Sequence, residues 1–253
     1  MILAIDVGNT NVVLGCIRAK KILFIERIST DRNKTAAEYA IMIKSILEIH
    51  QLDMGELEGG IISSVVPEIT YELRRATRLL IGKDPIIVGP GIKTGLNILL
   101  DDPAQLGSDM LVTAVAAMSE NKLPVIIVDL GTATTLSLIN EKRQFMGGMI
   151  FPGIRTALNS LVSSTSLLQQ ISLNSPKKVI GTNTIDCMKS GIIYGNAAMI
   201  DGLVDRIEAE VGECTVVATG GLAKSISKHC RHKIILDNDL LLKGLRIIYE
   251  KNT

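Results

Sequence analysis

Apolar positions in the first thirty residues fall in short runs broken by turn formers, not in helical stripes. Residues 1–6, 11–18 and 21–29 are rich in Ile, Val and Leu, separated by Gly8-Asn9-Thr10 and by Arg18-Ala19-Lys20-Lys21. Runs of that length between such breaks predict a three-stranded meander. Thr35-Ala36-Ala37-Glu38 has the spacing of a capping box and predicts a helix to about Ile49, with Tyr39, Ile43, Ile46 and Leu47 on one face. Residues 59–66 read as a buried strand ending at Pro67, which suits the first turn of a helix that carries Leu73, Ala76 and Leu80 and stops near Gly82. A further strand over 85–88 and a helix from Met110 to Met118 complete a β-β-β-α-β-α-β order with a trailing helix.

From Pro124 the pattern starts again. Strands are predicted over 125–130, 134–139 and 144–151, with Asn140-Glu141-Lys142-Arg143 as the second turn, then helices over 153–168 and 184–211. Strand 215–218, the turn Thr219-Gly220-Gly221, a short helix, strand 233–236 and a terminal helix follow. Asp237-Asn238-Asp239 can cap that last helix, and Leu242, Leu245 and Tyr249 can bury one side of it. Two β-β-β-α units in tandem are an internal repeat. The expected domains are 1–118 and 119–238, with residues 239–253 returning to pack on the first.

The repeat extends to chemistry. Ile5-Asp6-Val7-Gly8-Asn9-Thr10 and Val128-Asp129-Leu130-Gly131-Thr132 share one layout: apolar strand, Asp, one apolar residue, Gly, then a hydroxyl. Glycine at a tight turn lets an anion approach backbone N–H groups. Thr10, Thr132, Asn9 and Asn11 can donate to phosphate oxygens, and Asp6 and Asp129 can hold a bridging cation. A single such turn is ordinarily an Asx-turn in a hairpin. Its repetition with matching hydroxyls points to a polyphosphate gripped by one turn from each half. No Gly-Lys-Ser/Thr follows a strand and no Gly-x-Gly-x-x-Gly occurs, so neither the Walker loop nor the dinucleotide fingerprint is present.

Composition narrows the class without changing this picture. The chain has 253 residues, 47% hydrophobic and 21% charged, enough to bury a sizeable core. Its formal charge of +1 gives no general pull toward nucleic acid or an anionic membrane, which favours a small-molecule substrate. No apolar run approaches the roughly 20 residues of a membrane span, and Asp6 interrupts the N-terminal apolar run, so neither secretion nor membrane insertion is expected. Cys16, Cys187, Cys214 and Cys230 have no paired spacing, which fits the reducing cytoplasm. His229-Cys230-Arg231-His232, beside Lys224, Lys228 and Lys233, reads as a basic surface loop, and His50 as an exposed helix-end residue.

Six motifs in order carry a resemblance: Asp-x-Gly-Asn-Thr at 6–10, Gly-Ser-Asp at 107–109, Asp-Leu-Gly-Thr-Ala at 129–133, Gly-Gly-Met-Ile-Phe-Pro-Gly at 147–153, Gly-Thr-Asn-Thr at 181–184 and Ala-Thr-Gly-Gly-Leu at 218–222. The chain resembles the type III pantothenate kinases of the sugar kinase, Hsp70 and actin superfamily. The resemblance implies an α/β fold of duplicated ribonuclease H-like, actin-like ATPase domains, and a cytoplasmic homodimer that phosphorylates pantothenate with ATP in the first step of coenzyme A biosynthesis. It implies Mg²⁺ and a monovalent cation, K⁺ or NH₄⁺. Asp6, Val7, Gly8, Asn9, Thr10, Asn11, Val12 and Val13 would line the ATP phosphates, with Asp6 near Mg²⁺. Thr132, Gly220 and Gly221, the last two following Thr219, would also meet ATP. Asp129 would hold the monovalent cation, Asp109 would be the general base, and Leu100, Gly107, Ser108, Met110 and Thr184 would line the pantothenate site.

Two positions depart from the family pattern, and both fall in the acceptor half. Met110 stands where the family usually has arginine after Gly-x-Asp, and Leu100 where a tyrosine usually precedes Asp-x-Pro, here Asp101-Asp102-Pro103. Methionine has no fork of donors. Three readings follow: a pantothenate kinase, a kinase of this fold with a changed acceptor, or a nucleotide-binding regulator without turnover. Asp6, Asp109, Asp129 and Thr132 together favour an enzyme.

Overall fold

Every side chain of the first strand, β1 (Ile2–Val7), is buried, because the strand pairs on both edges and is covered on both faces. In the computed structural model, which describes residues 1–253, β1 runs antiparallel to β2 (Asn11–Arg18) and parallel to β4 (Gly59–Ser64). With β3 (Lys21–Ser29) and β5 (Ile86–Ile87) they form a sheet of order β3-β2-β1-β4-β5. The chain divides into two compact units, and this sheet belongs to the first: Met1–Gly95, Asp101–Ala116 and Leu240–Thr253.

Helix α1 (Ala36–Ile49) opens on the capping box, with Glu38 N–H donating to Thr35 Oγ1 and Thr35 N–H to Glu38 Oε2. Helix α2 (Pro67–Ile81) opens on proline and stops at Gly82, whose φ of 74° suits a residue without Cβ. Tyr39, Ile43 and Leu47 of α1 and Ile69, Leu73 and Ala76 of α2 share one core with Leu3, Ile5 and Val7 of β1. The opposite face of the sheet carries the terminal helix, which follows α3 to α6, described below, and is therefore α7 (Leu240–Asn252). Adjacent Gly59 and Gly60 show why both faces close so tightly: a Cβ on Gly59 would meet Tyr249 of α7, and one on Gly60 would meet Thr77 of α2. Successive strand residues point to opposite faces, so each glycine seats a different helix. Helix α3 (Ser108–Glu120) packs on α7, where a Cβ on Gly244 would lie 2.0 Å from Val112 O.

The second unit, Leu96–Leu100 and Ala117–Asp239, repeats the order. Strands β7 (Val125–Leu130), β8 (Ala133–Ile139) and β9 (Gln144–Pro152) form the meander, and β10 (Thr215–Thr219) and β11 (Ile234–Leu236) add parallel strands beyond β7. The order β9-β8-β7-β10-β11 matches β3-β2-β1-β4-β5 strand for strand. Helices α4 (Ile154–Ser163), α5 (Thr184–Val211) and α6 (Ala223–Ser227) supply Ile154, Ile193, Ala197, Ile200 and Ile226 to a core with Ile126, Val128 and Leu130. Asn183 caps α5 by accepting from Asp186 N–H at 2.9 Å.

Three expectations shift. Asn97–Ile98 forms a short strand, β6, parallel to the far edge of β9. Helix α4 ends at Ser163, not near 168. His50 ends α1 as expected but is half-buried, not exposed: its ring stacks on Phe24 at 4.5 Å and Nε2 lies 2.9 Å from Glu26.

Candidate functional site

The first Asp-x-Gly turn is built by β1 and β2, whose last paired residues are Val7 and Val12. Asn9, Thr10 and Asn11 are exposed at its tip, while Asp6 is buried, 7% exposed, one residue inside the strand end. The carbonyl oxygens of the turn are taken up within the unit. Asn11 O accepts from Gly8 N–H at 2.9 Å, Thr10 O from Thr30 N–H at 3.1 Å and Gly8 O from Thr30 Oγ1 at 2.6 Å. Carbonyls occupied in this way present less negative potential to an arriving anion, so hydroxyl and amide donors dominate the tip. Thr30, just past β3, was not singled out in the sequence, because its role exists only once Asn11 and Ser29 are paired.

The second turn is one residue shorter, closing between Leu130 and Thr134. Gly131 N–H donates to Ala133 O at 3.1 Å, and Thr132 stands exposed. Here too a neighbouring threonine takes up a carbonyl: Thr132 O accepts from Thr156 Oγ1 at 2.9 Å and from Gly153 N–H at 3.1 Å. Thr219 lies in register with Asp129, and a Cβ on Gly220, at φ 96°, would fall 2.6 Å from Asp129 Oδ1. The Thr219-Gly220-Gly221 turn is therefore folded over Asp129, Leu130 and their strand end. Thr184 is the exposed first residue of α5.

Asp109 is the second residue of α3, and its Oδ1 accepts from Met110 N–H at 2.8 Å. The preceding glycine makes this corner possible, since a Cβ on Gly107 would meet Asp109 Oδ1 at 2.6 Å. Ser108 is bonded to Ser63 and Ser64 at the end of β4. The first unit thus brings Asp6, the first turn and the Gly107-Ser108-Asp109 corner onto neighbouring strand ends, and the second gathers Asp129, Gly131, Thr132 and Gly220. Leu100 follows β6 and sits over Gly147 of β9.

Neither turn assembles a cluster of three acidic, His or Cys side chains. A single carboxylate beside each turn leaves room for a cation such as Mg²⁺, which keeps most of its water and is held through one or two carboxylates and substrate phosphates. The loop at 229–232 is claimed by acids: Asp201 accepts from the N–H groups of Arg231 and His232, and Asp205 pairs with both side chains. Burial, and then Asp201, push the Cys230 thiol up to about 12, which makes it a poor metal ligand. Arg155, an alternative anion ligand by position, is exposed.

Comparison with known proteins shows the family. The profile of the type III pantothenate kinase family matches residues 2–206. A type III pantothenate kinase of an Exiguobacterium strain (AT1b) is 47% identical over 252 residues, covering 100% of this chain and 99% of its own, and one from Halalkalibacterium halodurans is 46% identical over 253 residues, covering both chains fully. Among solved structures, a putative 2-dehydro-3-deoxygalactonokinase from Sinorhizobium meliloti has a TM-score of 0.60 at 13% identity, covering 99% of this chain and 96% of its own. A ROK hexokinase from Thermus thermophilus has 0.54 at 12%, with 99% and 98% coverage. These likenesses, both under 25% identical, show that the chain shares the fold of these two kinases.

Proposed function

Given that this chain belongs to the type III pantothenate kinase family, we propose that it transfers the γ-phosphoryl group of ATP to the primary hydroxyl of pantothenate, giving 4'-phosphopantothenate, the first step of coenzyme A biosynthesis. The observation that carries this reading is that the family likeness runs the full length of the chain, through both Asp-x-Gly turns and the Gly107-Ser108-Asp109 corner alike. A changed acceptor has only Met110 and Leu100 in its favour, against the full-length likeness, and a regulator without turnover has no observation behind it.

In this reading the segment Asp6 to Val13, with Thr132, Gly220 and Gly221, binds ATP. Gly107, Asp109 and Met110, with Leu100 and Thr184, border pantothenate. Phosphoryl transfer asks mainly for positioning and charge neutralisation. The bond between the γ-phosphorus and the bridging oxygen breaks as the bond to the pantothenate oxygen forms, and Asp109 takes the hydroxyl proton. Asp6 would stand near Mg²⁺, which would supply neutralisation of phosphate charge, and Asp129 would offer carboxylate oxygen to K⁺ or NH₄⁺. Four free cysteines support a cytoplasmic setting. A homodimer is supported by the exposed apolar side chains of Ile150, Leu167, Val179 and Ile180, which a second copy could cover.

The test is formation of phosphopantothenate by the purified chain with ATP, Mg²⁺, K⁺ and pantothenate. ATP binding without that product sinks the reading. In the same assay Met110→Arg should lower KM for pantothenate by about tenfold, the worth of one charge-assisted hydrogen bond of about 1.5 kcal/mol. An unchanged KM would remove Met110 from the acceptor site.

A further inference from the structure

We infer that Ser108 is a positioning residue, whose hydroxyl, together with Ser63, locks the Asp109-bearing start of α3 onto the carboxyl end of β4 instead of contacting pantothenate. The inference rests on the reading of Asp109 as the base.

A serine hydroxyl has one proton to give and two lone pairs to offer. Ser108 Oγ donates to Ser64 O at 2.9 Å and accepts from Ser64 N–H at 3.0 Å and from Ser63 Oγ at 3.1 Å. All three capacities are spent on two consecutive residues of one strand, and Ser63 is fully buried. Nothing is left for a substrate amide or carboxylate.

The lock continues on both sides. Ser64 Oγ donates to Val66 O at 3.2 Å and accepts from Val66 N–H at 3.1 Å and from Thr70 Oγ1 at 2.6 Å, tying the strand end to the first turn of α2. In the other direction Ser63 lies in parallel register with Asp6. A path of one strand pairing and one hydroxyl contact therefore joins Asp6, on the phosphate side, to the residue next to Asp109. A strand end held by pairing and a helix start held by several part-buried hydrogen bonds keep their places, whereas an unanchored first helical turn frays. Misplacement of a reacting group by about 1 Å can cost about a hundredfold in rate.

The expected result for Ser108→Ala is a kcat lowered about 10- to 100-fold with KM for ATP and for pantothenate within about twofold of the parent. Ser63→Ala, which removes one of the three bonds, should lower kcat by a smaller factor of about 3 to 10, and Ser108→Thr, which keeps the hydroxyl, should recover most of the loss. In an Asp109→Asn background Ser108→Ala should add no further loss, because there is no base left to misplace. A raised KM for pantothenate at parental kcat would overturn the inference and make Ser108 a substrate contact. A lower melting temperature with parental kcat per folded molecule would overturn it in favour of a purely structural role. Asp109→Asn assayed alone separates the two readings: if it retains turnover, the assignment of the base falls, and if it abolishes turnover while Ser108→Ala leaves kcat intact, only the lock falls.

Discussion

Replacing Asp109 by asparagine is expected to lower phosphopantothenate formation by about 10²- to 10⁴-fold, the usual worth of a positioned acid or base, with ATP affinity and melting temperature close to those of the parent. The exchange is nearly isosteric. Asparagine keeps an Oδ1 that can accept from Met110 N–H, the 2.8 Å bond that folds the side chain back over Gly107. The anchoring of Ser108 on Ser63 and Ser64 is untouched, so the corner keeps its shape. What is lost is a group able to take the hydroxyl proton, together with the favourable placement of a negative charge in the first turn of α3, worth less than about 1 kcal/mol at a partly exposed helix start. Steady-state kinetics with a nucleotide-binding titration and a thermal melt check all three quantities. Parental kcat in a folded, ATP-binding variant would remove Asp109 from the chemistry.

Why so much of the first unit was legible in the sequence, and some of the site was not, follows from the range of the interactions. The strand read over 59–66 ends at Ser64 and the one over 85–88 keeps only Ile86–Ile87, whereas the Thr35–Glu38 capping box, Pro67 at the start of α2 and Gly82 at its end are set by residues within a few positions of one another, and the structure reproduces them. The same holds for α5, bounded by Asn183 and Gly212. Strand β6 has two residues, too few for a period, and exists only because Asn97 meets Gln144 far along the chain. Helix α4 was read too long because apolar spacing continues to Leu167, whereas the Ser163-Ser164-Thr165-Ser166 run competes for backbone hydrogen bonds and ends it. Thr30 and Thr156, which occupy the carbonyls of the two turns, and Ser63, which holds Ser108, are ordinary residues in the sequence. Their roles come from strand pairing and helix placement. The phosphate turns were visible as a motif; the parts that hold them rigid were not.

That rigidity makes Gly153→Ala a strongly damaging substitution in the second unit. The backbone at Gly153 is extended, with φ −62° and ψ 155°, so alanine could adopt it without strain. Space is the obstacle. A Cβ there would lie 2.1 Å from Thr132 O and 2.6 Å from Gly131 O, and both are main-chain atoms of the phosphate turn, unable to swing aside like the end of a side chain. The Thr132 carbonyl is also pulled toward α4 by Gly153 N–H and Thr156 Oγ1, so relief requires breaking one or both bonds and moving the start of the helix off the turn. Overpacking against backbone, with the loss of those bonds, should cost about 3 kcal/mol. At about 2–4 °C per kcal/mol for a chain of this size, the melting temperature should fall by roughly 6–12 °C. KM for ATP should rise in whatever fraction stays folded, since Thr132 moves with its carbonyl. Gly191→Ala is the matched control: the same methyl inside α5, with nothing within 4 Å, should raise stability by up to about 1 kcal/mol through helix propensity. If both variants melt alike, the start of α4 is not seated on the turn, and the stiffness of the second phosphate turn must come from its own strands.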